Sequence, residues 1–175
     1  MRIGWGAETV VGVTLTDLLV EFAGTGEIGP LHCGMPLTEA EKLLGPGRPH
    51  PAIRLKGPDI DGYPYAWGSL DLSVTRRHVS GIGLRLWPGS TVELPPLIRP
   101  GAGPCSATVL REDLIAALDA AGCRHEINSA LTFGRQWSLL TQPADACAVF
   151  SLPGRDNDVP HRDRFYLDVL HVRTA

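Results

Sequence analysis

Two short stretches of this chain alternate apolar and polar residues, and that rhythm dictates a pleated sheet with one buried face. Leu70, Leu72 and Val74 alternate with Ser69, Asp71 and Ser73, while Ile82, Leu84 and Leu86 alternate with Gly83 and Arg85. Successive side chains on a strand point to opposite faces, so a period of two is the mark of a half-buried strand. Upstream, in GMPLTEAEKLLGPG, the period lengthens. Thr38 and Glu41 have capping-box spacing, Leu37, Leu43 and Leu44 supply an apolar face, and Gly45-Pro46-Gly47 ends a short helix. Strands are expected near 63–67, 69–75 and 79–87. The unit reads as a short helix feeding an antiparallel sheet.

The rest of the chain repeats this order. Thr14 with Asp17 predicts an N-cap, Leu15, Leu18, Leu19 and Phe22 share a helical face, and Gly24 is the expected stop. Residues 50–64 are broken by prolines and glycines and read as a loop or interrupted edge strand. Residues 88–104 are again rich in Pro and Gly, which excludes a regular helix and predicts a connector. Beyond it, Leu110, Leu114, Leu118 and Ala121 recur at spacings of four and three before Gly122. Strands follow near 124–131, 135–141, 146–152 and 164–172. The expected class is α+β: short helices on antiparallel sheets, with a first half at 14–87, a connector at 88–104 and a second half at 105–175. Residues 1–13 form an N-terminal arm or edge strand. LTEAEKLLGPG can be laid on LREDLIAALDAAG, the pattern an old internal duplication would leave.

Size and composition narrow the function classes. A chain of 175 residues with a 43% hydrophobic share supports a globular core. A formal charge of -3 argues against a nucleic-acid partner, which calls for a basic surface. No apolar run reaches membrane-spanning length. Cys33, Cys105, Cys123 and Cys147 lie far apart without a CxxC pair, and MRIGWGAETVVGV offers neither a continuous apolar region nor a cleavage site. The expectation is a cytoplasmic protein with reduced thiols.

Few constellations suggest chemistry. Asp156, Asp158, His161 and Asp163 crowd together in RDNDVPHRDR, but the interleaved arginines oppose a cation and the spacing fits no metal loop. His32-Cys33 and Cys123-x-His125 lack a base and an oxyanion pocket legible in sequence. Gly81-Ile82-Gly83 sits inside a strand pattern and is no phosphate loop. No catalytic set, metal site or cofactor is assigned. The aromatics stand out instead. Tyr63, Tyr65 and Trp67 share parity, with Trp87 nearby, so they either plug the core or build a binding surface. Asp59, Asp61 and Asp71 flank them without an intervening Lys or Arg, which offers an acidic, aromatic face to a basic partner. Asp59, Asp61, Tyr63, Tyr65, Trp67, Asp71, Arg85 and Trp87 are the candidate partner-binding residues.

The pattern Gly34-Met35-x-x-Thr38-x-Ala40-Glu41-x-Leu43-Leu44-Gly45-Pro46, followed by Tyr65-x-Trp67-Gly68-x-Leu70-x-Leu72, resembles a known unit. It is similar to the repeat of the secreted β-lactamase-inhibitor proteins and to the small lipoproteins of bacterial outer-membrane assembly. It also resembles some immunity proteins of polymorphic toxin systems. The resemblance covers about a third of the chain and implies a sheet face that docks onto another protein. The expected function is therefore non-catalytic: an immunity protein that occludes the active site of a cognate toxin. A small metal- or thiol-dependent enzyme, or an envelope accessory or scaffold factor, are the alternatives.

Overall fold

A computed structural model of the chain describes residues 13–101 and 103–174. The arm or edge strand expected at 1–13 lies outside them, apart from Val13. The elements run α1 (Leu15–Thr25), α2 (Leu37–Leu44), β1 (Arg48–Pro49), α3 (Pro51–Lys56), β2 (Tyr63–Trp67), β3 (Leu70–Thr75), β4 (His78–Arg85), β5 (Thr91–Val92) and β6 (Cys105–Ser106). After the connector come α4 (Arg111–Ala120), β7 (Arg124–Ile127), a turn of 3-10 helix at Ser129–Leu131, β8 (Gln136–Gln142), β9 (Cys147–Ser151) and β10 (Tyr166–Arg173). The molecule is an α+β fold: short helices, a small β5-β6 ribbon and one antiparallel sheet of 8 strands in the order β1-β2-β3-β4-β10-β9-β8-β7.

The seam of that sheet is the pairing of β4 with β10, in register from Val169 opposite Arg85 to Arg173 opposite Gly81. Strands from either side of the connector thus share one sheet, with the last strand of each half at its centre. Alternation supplies the core. Leu70, Leu72, Ile82, Leu84, Leu139, Phe150 and Leu170 are at most 1% exposed and form one cluster with α1, α2 and α4. Each fully buried aliphatic or aromatic side chain contributes about 1.5–3 kcal/mol relative to exposure.

Local signals explain most of the helices. Thr14 is the expected N-cap of α1 and forms a reciprocal capping box with Asp17, but the helix runs past Gly24 and stops at Gly26, whose φ of 74° is left-handed. In α2 the expected Thr38–Glu41 capping box is absent. The helix opens on Pro36 without a side-chain cap, and the Leu37 amide instead donates to the Arg77 carbonyl at 2.9 Å. A tertiary bond has replaced a local one. Its buried face is Leu37 and Ala40, backed by half-buried Leu44, while Leu43 is 40% exposed. The segment at 50–64, expected as a loop or interrupted edge strand, contains α3 and the start of β2; α3 is started by Pro51 and by His50, whose Nδ1 accepts from the Ala52 amide at 3.1 Å.

Trp67 anchors the first half. Its indole Nε1 donates to the Gly45 carbonyl at 2.9 Å, and the ring lies so close to Gly47 that a Cβ there would stand 2.5 Å from it. The glycines after α2 therefore both end the helix and let the indole approach the backbone.

Candidate functional site

Strand registers lay out the outer face of the sheet row by row. One row crosses Arg48, Ala66, Asp71, Gly83, His171 and Cys147. The next crosses Pro64, Ser73, Gly81 and Arg173. Gly81 and Gly83 thus stand side by side on β4, where two successive outward side chains are missing. The backbone is open at Gly83 but buried at Gly81, where a Cβ would stand 3.2 Å from Arg173 Cγ, and a hollow of about 450 Å³ opens beside them. Asp71 and Ser73 wall it on the β3 side, His171 and Arg173 on the β10 side, and Trp87, 62% exposed, stands at one end. Beyond Asp71 and Pro64 the hollow continues into a second recess of about 340 Å³, where Arg48, His50 and Arg54 join Arg85. Together they make an open trough across β1, β2, β3, β4 and β10.

Its electrostatics are set by partial burial. The Arg85 Nε lies 2.6 Å from Asp71 Oδ2, off the N–H direction, while Nη2 donates to Oδ1 at 3.1 Å. Burial nevertheless pushes the Asp71 carboxyl up, against the pull of Arg85 and Arg48. Burial likewise raises Asp168, which the Ser151 hydroxyl partly offsets. It also lowers His171, helped by the Arg173 guanidinium. Among the described residues, Arg48, Arg54 and Arg173 have no carboxylate within 4.0 Å.

The eight residues singled out in the sequence divide among three places. Asp71, Arg85 and Trp87 lie together on the trough. Tyr65 and Trp67 share a face, as their parity requires, but it is the covered one: they are 7% and 8% exposed and belong to the core cluster. Tyr63 is half-buried on the same side and stacks at a tilt on His50, with centroids 5.1 Å apart. Asp59 and Asp61 are exposed before β2, where Asp61 Oδ1 accepts the Arg76 amide at 2.7 Å. Arg76 follows Asp71 by five residues along β3, roughly 16 Å at strand rise, so the three aspartates do not share one patch. Sequence reasoning missed Arg48, Arg54, Asp168, His171, Arg173 and the meaning of Gly81 and Gly83. The available signal was the glycine pair itself, two apart inside a strand, which marks close backbone approach.

Other constellations look structural. Cys33 and Cys123 are both raised by burial, opposite to the shift that activates a thiol. His125 contacts Asp119 at 2.9 Å at the end of α4, and the four cysteines are unpaired. The 152–165 loop is tied by its own bonds, Asn157 to Gly154 and Pro88, and Arg162 to Arg155. Among the described residues no three His, Cys, Asp or Glu side chains are placed to hold a metal ion, and no helix is long and apolar enough to cross a membrane. Comparison with protein families, with characterised proteins and with solved structures finds no match.

Proposed function

We propose that this chain is a non-catalytic protein-binding module that docks the trough-bearing face of its sheet onto a partner. The reading fits an immunity protein that neutralises a cognate bacterial toxin by occluding its active site, within the cytoplasm. The observation that carries it is the open backbone at Gly83, rimmed by Trp87 and the Asp71–Arg85 pair. A missing side chain lets another chain approach closely, and an exposed tryptophan beside a partly exposed, carboxylate-paired arginine has the composition of a binding hot spot. The trough is open along its length, which suits a protruding loop or strand better than an engulfed small substrate.

Co-expression with the product of the neighbouring gene, followed by affinity capture, tests the reading. A stoichiometric complex is expected, lost in Gly83→Leu, which fills the trough, and kept in Phe133→Ala, which alters an exposed aromatic near the far edge. Failure to recover any stoichiometric protein partner, or a complex indifferent to Gly83→Leu, would overturn it.

A further inference from the structure

The charges along the trough say what kind of surface would sit in it. Four arginines line it (Arg48, Arg54, Arg85 and Arg173) against two aspartates. Asp71 is already engaged by Arg85, and Asp168 sits half-buried within reach of the Ser151 hydroxyl. The second recess therefore presents Arg48 and Arg54, both exposed, beside an arginine whose charge is only partly cancelled. This reverses the charge expected from the run of aspartates before β4. It also contrasts with the whole chain, whose formal charge is -3. A long polyanion such as nucleic acid would gain at the trough and lose over the rest of the surface. A short anionic stretch gains without that loss.

Resting on the docking reading above, we infer that the trough receives an acidic segment of its protein partner, with carboxylates seated on Arg48 and Arg54. A guanidinium offers a rigid fork of donors that matches a carboxylate, so paired arginines select short runs of Asp or Glu. The open floor at Gly83 admits the backbone of that segment, and Trp87 covers its end.

The test measures binding of a fluorescently labelled oligoglutamate peptide to the full chain by anisotropy. Binding that weakens with added salt is expected, and the Arg48→Ala/Arg54→Ala double variant should weaken it by about tenfold. Arg124→Ala, on β7 at the far edge, should bind like the parent chain. Both altered arginines are exposed, and circular dichroism verifies that the double variant is folded. No binding at low salt, or equal binding by the double variant, would overturn the inference. So would tighter binding of inorganic phosphate or a single-stranded DNA oligonucleotide, which would assign the arginines to another anion. The two readings fail separately. A captured partner lost in Gly83→Leu but retained by the double variant sinks only the acidic segment, whereas a partner indifferent to Gly83→Leu sinks the docking surface.

Discussion

The middle of the sheet and its β8–β9 region treat their outer face in opposite ways. Around β4 and β10 the face is open at Gly83. Around β8 and β9 it is sealed. Ser138 is 0% and Cys147 5% exposed, beneath the chain that folds back after β7. There the Ser138 amide donates to Thr132 Oγ1 at 3.0 Å, its hydroxyl donates to the Ala148 carbonyl at 3.0 Å, and Asn128 Nδ2 reaches Cys147 Sγ at 3.6 Å. Both regions have the same pleat and period. The difference lies in a connection: the segment at 128–132 returns over the β8–β9 region, and no described segment does so over the middle. Exposure of a strand's polar side is thus decided by the loops, not by the strand.

The largest effect should come from the seam that makes one sheet of both halves. Leu170→Ala, at a side chain 0% exposed opposite Leu84, is expected to cost about 2–5 kcal/mol. Denaturant unfolding should remain a single transition for the parent and the variant. Two separated transitions would mean that the halves fold independently, and the comparison would have to be redrawn between two bodies.

Next come substitutions that add bulk to each region. Ser138→Leu has no space to enter and should cost about 1–3 kcal/mol. Gly83→Leu should change stability by no more than about 0.5 kcal/mol, because a Cβ there meets only His171 Cβ at an ordinary 3.7 Å. Equal losses at the two sites, read from urea midpoints, would show that the trough is not empty. Gly81→Ala should fall between them, since its Cβ would stand 3.2 Å from both Arg173 Cγ and the Val172 carbonyl.

The pH dependence gives the finest distinction. His171 binds its proton more weakly when folded than the ordinary imidazole value of 6.5. The unfolded chain therefore takes up protons first, and the stability linked to this residue is complete above 6.5 and declines as the pH falls below it. His171→Asn should flatten that slope in denaturation midpoints measured across mildly acidic buffers. Asp168 has the opposite sense. Its raised carboxyl pKa means that the charged form is disfavoured in the fold, so Asp168→Asn should stabilise slightly at neutral pH and lose that gain in acid. A slope unchanged by both substitutions would mean that the trough walls are as solvated as any surface.

Much of this architecture was legible beforehand because its causes are local. The N-cap at Thr14 with Asp17 and the alternation from Leu70 to Val74 each involve residues within a few positions of one another. The misses have a common cause. At α2 the Arg77 carbonyl, forty residues downstream of Leu37, satisfied an amide that the capping box was expected to satisfy. At Tyr65 and Trp67 parity correctly placed the side chains together but could not say which face the helices cover. His171 and Arg173 reach the trough only because β10 pairs with β4, a contact spanning about half of the chain.

The amino-acid order alone determined the class of the fold, the run of helices and strands, and the grouping of side chains by face, because backbone period and capping act over one or two turns of chain. Only the tertiary structure decided that the strands before and after the connector join in one sheet, that the aromatics at 65 and 67 belong inside, and that four arginines line one trough. Those outcomes depend on which strand edges pair and which loops fold back, and such contacts are chosen by the burial of the whole molecule rather than by any stretch of it.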